Sequence, residues 1–191
     1  MHRILAGFFA LTLAATAHAQ DAPTTEAPVI DPPVADGVAV EQPMTLARMA
    51  EILLSLDPEA VGNGRVFELT IQSVPVTIVT DPAADRMRAM VPIRSAAGMT
   101  SEEVMRVMQA NFDTALDARY AVANGRLWSV FIHPLSPLEK DQLISALGQT
   151  VNIALTYGSL YSGGALAFGG GDAGNLQRQL IDDLLKRGED I

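Results

Sequence analysis

The 191-residue chain has no cysteine. That removes a disulfide framework, and it removes any site for a cysteine-linked lipid. Histidine is almost as scarce. Of three in the chain, His2 and His18 fall within the first 19 residues, so a processed chain keeps only His133. A His/Cys metal cluster is thereby excluded, and a Ser-His-Asp arrangement would depend on one imidazole with no G-x-S-x-G turn to present its serine. Spaced acids of the D-x-D-x-D-G type, which would hold calcium, are absent too. Positive charge is also short: 13 Lys and Arg stand against 22 Asp and Glu, a net charge of −9. Nucleic-acid affinity comes from neutralising phosphates with Lys and Arg, so this balance argues against DNA or RNA as a partner. Acidity of this size serves solubility and says little about fold.

What is present begins with a leader. Arg3 precedes an apolar stretch from Ile4 to about Ala14, and Ala17 and Ala19 form an A-x-A pattern, the signature of a secretory signal peptide over residues 1–19. The stretch is well short of the roughly 20 residues that span a bilayer. Cleavage after Ala19 removes Arg3 and no acid, leaving 12 basic and 22 acidic residues, or −10. The expected location is periplasmic or secreted. Residues 20–43 carry Pro23, Pro28, Pro32, Pro33 and Pro43 among Ala, Thr, Val and acids without an apolar period, which reads as a disordered linker.

From residue 44 the patterning becomes periodic. Thr45 can cap a helix bearing Leu46, Met49, Ala50, Leu53 and Leu54, stopped by Asp57-Pro58. "RVFELTIQ" alternates Phe67, Leu69 and Ile71 with Glu68, Thr70 and Gln72, a strand with one wet face. "VPVTIVTD" and "RMRAMVPI" supply two more strands, the second with Met87, Ala89, Val91 and Ile93 on one side, and such short connections imply an antiparallel meander. Thr100 and Glu103 stand at capping-box spacing before a helix with Val104, Met108, Phe112 and Leu116 on its apolar face, ending near Asp117. "RYAVANGRLWSVFI" reads as a hairpin turned at Asn124-Gly125. Its second strand is apolar on both faces, Leu127 and Phe131 on one and Trp128, Val130 and Ile132 on the other, so it is expected to be covered twice or to meet another molecule. Ser136 as cap, Pro137 in the first turn and Glu139 completing a capping box open a third helix. Its stripe runs through Leu143, Ile144, Leu147, Val151 and Leu155 to Gly158.

The expected architecture is α+β: an antiparallel sheet of about five strands with helices packed on it, in the order α-β-β-β-α-β-β-α, over residues 44–158. A Gly-rich flexible segment over 159–175 and an amphipathic C-terminal helix over 176–191 follow, with Leu176, Leu180, Leu184 and Leu185 on one side and Asn175 as cap. The order of elements, with "MTLARMAEILLSLD" leading into "FELTIQ", "TSEEVMRVMQANFD" and "LWSVFIHPLSPLEKDQLISALGQTV", resembles the YbjN-domain family, whose fold is similar to that of type III secretion chaperones. The resemblance covers roughly Met44 to Gly158 and rests on pattern and element order. It implies an α+β fold that tends to pair and to present surfaces to other proteins, and it implies no reaction. The leader and the glycine-rich tail depart from it.

No chemistry stands out. Glu102-Glu103 and Asp182-Asp183 are adjacent on helices, about 100 degrees apart, so neither pair converges on one point. Gly169, Gly171 and Gly174 spell G-x-G-x-x-G, which needs a second parallel strand carrying an acid to the ribose. Glu189 and Asp190 lie near that distance with no strand to present them, and no Lys follows the glycines as in a P-loop. The expected function is an exported, non-enzymatic, protein-binding or chaperone-like module, without cofactor or metal. Its partner would be another envelope protein or a second copy of itself, met through Trp128, Val130, Ile132, Met87, Met90, Leu180 and Leu184. Methionines suit adaptable surfaces, and Arg86, Arg88 and Arg94 form a basic spot suited to an acidic segment, although charge also protects edge strands. The competing readings are a small nucleotide-binding or hydrolytic enzyme using the Gly169–Gly174 loop and His133, and a membrane-surface binder acting through the C-terminal helix. The balanced charge of that helix disfavours membrane contact.

Overall fold

A computed structural model describes residues 41–113, 116–158 and 174–189. The leader, the linker up to residue 40 and the glycine-rich segment with Gly169 and Gly171 lie outside these residues. Thr45 caps α1 (Leu46–Leu56) by accepting the Arg48 N–H, and Met49, Ile52, Leu53 and Leu56 are buried. Leu54, placed by its spacing on the apolar stripe, is instead exposed.

The sheet has six antiparallel strands in the order β1-β2-β3-β4-β6-β5. These are β1 (Val61–Gly62), β2 (Val66–Ile71), β3 (Val74–Asp81), β4 (Arg86–Ser95), β5 (Arg119–Ala123) and β6 (Arg126–Pro134). The two-residue β1 extends the edge by pairing Val61 with Glu68; it is too short to carry an alternation that sequence could show. The meander β2-β3-β4 forms as the short connections require. Beyond α2 (Ser101–Asp113), the chain returns along the far edge as β5 and turns back as β6 against β4. Asn124 and Gly125 at φ 51° and 70° make the tight turn. The β2–β3 turn is equally short but is built from Gln72 and Ser73, at φ 49° and 65°, where neither residue relieves the left-handed conformation as glycine would.

Period-2 alternation sends Phe67, Leu69, Ile71, Val76, Ile78, Met87, Ala89, Val91, Leu127 and Phe131 to one face, where they are buried. That face is covered by α1, by α3 (Lys140–Thr156) and by α4 (Gly174–Arg187), which packs along α3 and touches α1. Leu180 and Leu184 of α4 are core residues, and Asn152 of α3 donates to Gln177 of α4 at 3.2 Å. The close approach depends on Gly148, where a Cβ would sit 2.8 Å from Ile181 Cγ1. Two of the expected helix starts shift. α3 begins at Lys140 with Glu139 before it, whose N–H donates to Gln142 Oε1 at 3.2 Å. Ser136 is not its cap because both its N–H and its hydroxyl are given to Asp85, at 2.6 and 2.9 Å. α4 begins two residues early, at Gly174, so Asn175 lies inside its first turn and accepts from Arg178.

Candidate functional site

Four of the seven residues nominated as a partner surface converge on the outer face of the sheet. Met90 pairs with Val130 and Arg88 with Ile132 across β4 and β6, and Pro92 pairs with Trp128. Even residue numbers on β6, and on β4 as far as Pro92, therefore point away from the core. Trp128, Val130 and Met90 are half-buried and Ile132 is exposed. Neighbouring strands give this burial, because no described helix covers the face. Val79 of β3, opposite Arg88, extends the apolar strip, and a groove of about 450 Å³ lies over Val79, Arg86, Arg88, Met90 and Ile132. The Trp128 indole N–H donates to the Ala123 carbonyl at 3.1 Å, and the Arg126 guanidinium lies 5.8 Å from its ring centre.

The other three nominated residues are corrected by the structure. Met87 has the odd parity of the core face and is buried beneath the helices. Leu180 and Leu184 are buried where α4 docks on α3. The stripe of the terminal helix is thus satisfied within its own domain, and only Leu176 at its start is exposed. Of the basic spot, Arg86 and Arg88 lie on the outer face, whereas Arg94 follows a register shift after Pro92 and pairs with Glu103 at 3.4 Å.

Sequence reasoning missed a second apolar surface. The stripe on α2 expected to face the core is turned outward: Val104, Met105, Met108 and Phe112 are 41, 68, 60 and 72% exposed. The side that packs is the narrow one of Val107 and Ala110, both buried, and Asn111. Asn111 accepts the Tyr120 N–H at 2.7 Å and donates to the Tyr120 carbonyl at 3.1 Å, closing the β5 edge as a neighbouring peptide would. The capping box is present, with Thr100 N–H to Glu103 at 2.8 Å and Glu103 N–H to Thr100 Oγ1 at 3.1 Å. The Thr100 N–H, followed by the charge of Arg94 and the Thr100 hydroxyl, holds the Glu103 carboxyl below its usual range despite partial desolvation. Length and periodicity could not have revealed this reversal, since α2 lies beside an edge strand and not across the sheet. A polar residue, Asn111, opposite the apolar stripe was the only available sign.

His133 stacks on Phe131 with ring centres 5.7 Å apart, and its Nδ1 lies 2.8 Å from the Pro134 carbonyl oxygen. A carbonyl only accepts, so the proton sits on Nδ1. Among the described residues no three His, Cys, Asp or Glu side chains group as a metal site, and no helix is long and apolar enough to cross a membrane. Gly174 lies in the first turn of α4; the rest of the glycine motif falls outside the described residues. No family model matches the chain, and no curated protein matches it.

Proposed function

We propose that this is an exported, non-enzymatic protein-binding module, chaperone-like in its use of an open sheet face. The observation that carries the reading is the apolar strip of Met90, Trp128, Val130 and Ile132, aligned across β4 and β6 with no described element over it. Contiguous apolar surface that a domain leaves uncovered marks an interaction site more often than an accident of folding. The reading of residues 1–19 as a secretory leader supports a partner in the cell envelope, and the resemblance to YbjN-domain proteins supports a role in binding other proteins.

The α2 stripe supports pairing of two copies. Met108 lies near its middle, so an antiparallel pair of α2 helices crossing there sets Val104 and Met105 of one copy against Phe112 of the other. A two-fold contact requires this self-complementarity. Met108→Glu is expected to yield a monomer in sedimentation at tens of micromolar, where the unmodified chain is dimeric; a monomeric unmodified chain refutes pairing.

The module itself is tested by a photo-crosslinking residue at position 132 in intact cells, with position 54 on exposed α1 surface as control. A discrete protein adduct at 132, absent at 54 and lost on adding Val130→Glu, is the expected result. No adduct at 132, or equal adducts at both positions, overturns the reading.

A further inference from the structure

The outward positions of β4 and β6 carry three arginines and no carboxylate, in a chain of net charge −9. Arg126 stands at one end of the apolar strip, and Arg86 and Arg88 stand at the other, Arg88 directly across from Ile132. Among the described residues none of the three makes an ion pair. Three acids lie nearby. Asp85 precedes Arg86, whose charge helps to hold the Asp85 carboxyl low, and its two oxygens accept the Ser136 N–H and hydroxyl. Asp81 on β3 is opposite Arg86, but its Oδ1 accepts the Ala83 and Ala84 N–H groups at 3.1 and 3.2 Å. Glu68 is two strands away from β4. Arg119, outward on β5, turns back to the Leu116 and Ala118 carbonyl oxygens. Arg88 and Arg126, at opposite ends of the apolar strip, thus have no described counter-charge.

We infer that this face seats an amphipathic helix of a partner protein, with its apolar side on Met90, Trp128, Val130 and Ile132 and a carboxylate at each arginine end. This rests on the protein-binding reading and names the chemistry of the partner. A helix suits the strip because it is a sheet face and not an edge. An extended segment laid across apolar side chains would leave its own N–H and C=O groups unpaired, whereas a helix satisfies them internally. The opposite face of this sheet is covered in the same way, by α3. Arg126 and Ile132 are six strand positions apart, about 20 Å, which corresponds to about 13 residues of helix. The partner helix therefore carries Asp or Glu about 13 residues apart, flanking an apolar stripe of three to four turns. Opposite charges placed so select the partner and its direction as much as they strengthen binding.

Trp128 is the chain's one tryptophan and lies in the middle of the strip, so its emission reports occupancy. The probe is a blocked 18-residue helical peptide with Leu at helical spacing and Glu near both ends, compared with the same peptide carrying Lys in place of Glu. The expected result is a saturable shift of Trp128 emission with the Glu peptide and binding about tenfold weaker with the Lys peptide, the sum of a few exposed charge pairs. The variant Arg88→Glu/Arg126→Glu, confirmed folded by circular dichroism, is expected to reverse that order. Equal binding of both peptides overturns the charge assignment and leaves the protein-binding reading standing. No binding of either peptide while the position 132 adduct forms in cells overturns the helix assignment alone. A Trp128 shift on anionic phosphatidylglycerol vesicles with no response to either peptide overturns it in favour of a lipid surface.

Discussion

The docking of α4 can be tested through two leucines on the same helix. Leu184 is 1% exposed and sits where its Cδ1 would lie 3.3 Å from a Cβ at Gly148; Leu176, eight residues earlier, is 52% exposed. Sequence periodicity treats them alike, and the structure does not. Truncating a fully buried leucine to alanine costs about 2–5 kcal/mol, set by how far the site collapses. Helix propensity does not add to this, since alanine is the better helix former. A ceiling comes from the helix itself: burying Leu180 and Leu184 contributes about 3–6 kcal/mol, before the ordering of the helix is subtracted, and a variant that undocks α4 cannot lose more than α4 contributes. About 3 kcal/mol is therefore expected for Leu184→Ala, a fall in Tm of about 6–12 °C for a domain of this size. Leu176→Ala should stay within about 0.5 kcal/mol. Urea unfolding followed by circular dichroism, with amide exchange on α4, makes the measurement. If the two variants lose the same stability, α4 does not dock on α3 in solution and the reasoning fails.

Three further outcomes follow from local chemistry. Ser129 is fully buried between β4 and β5, and its hydroxyl has no partner, so Ser129→Ala should stabilise the domain by about 1 kcal/mol; a loss of stability in urea unfolding would mean the hydroxyl is bonded. Replacing Gln72-Ser73 by Asn-Gly should raise stability by about 1 kcal/mol by easing two left-handed residues, and an unchanged urea midpoint would count against strain in that turn. Asp85 has its pKa lowered, first by the Ser136 N–H and then by the Ser136 hydroxyl, with Arg86 and the Leu135 N–H adding to this against partial desolvation. A carboxylate with a folded pKa below its unfolded value adds stability that is complete above about pH 3.8. It is lost as pH falls through the lower folded value. Asp85→Asn, which tolerates the φ of 51° at that position, should flatten the acid limb of the stability profile, and a limb unchanged between pH 5 and pH 2 would refute the assignment.

Local signals that need only neighbours in sequence were legible. The strand alternation of Phe67 to Ile71, the Asn124-Gly125 turn, the Thr100 and Glu103 capping box and the α+β order are determined by periods of two and 3.6 residues and by turn chemistry. These also place Trp128, Val130 and Ile132 on one face of one strand. What the sequence could not specify is which apolar face meets which neighbour. Val104, Met108 and Phe112 have the spacing of a core stripe, yet α2 lies along the β5 edge and turns Asn111 to the Tyr120 backbone, so the stripe is exposed. Leu180 and Leu184 have the spacing of a free docking face, yet Gly148 lets α4 close onto α3. Met87 and Met90 are three residues apart, and both have the adaptable side chain that suits a partner surface. Strand parity buries the first and brings only the second into line with Val130. Periodicity determines that a face is apolar. Which faces are left uncovered depends on how helices and strands fill the space around one sheet, and only the tertiary structure decides that.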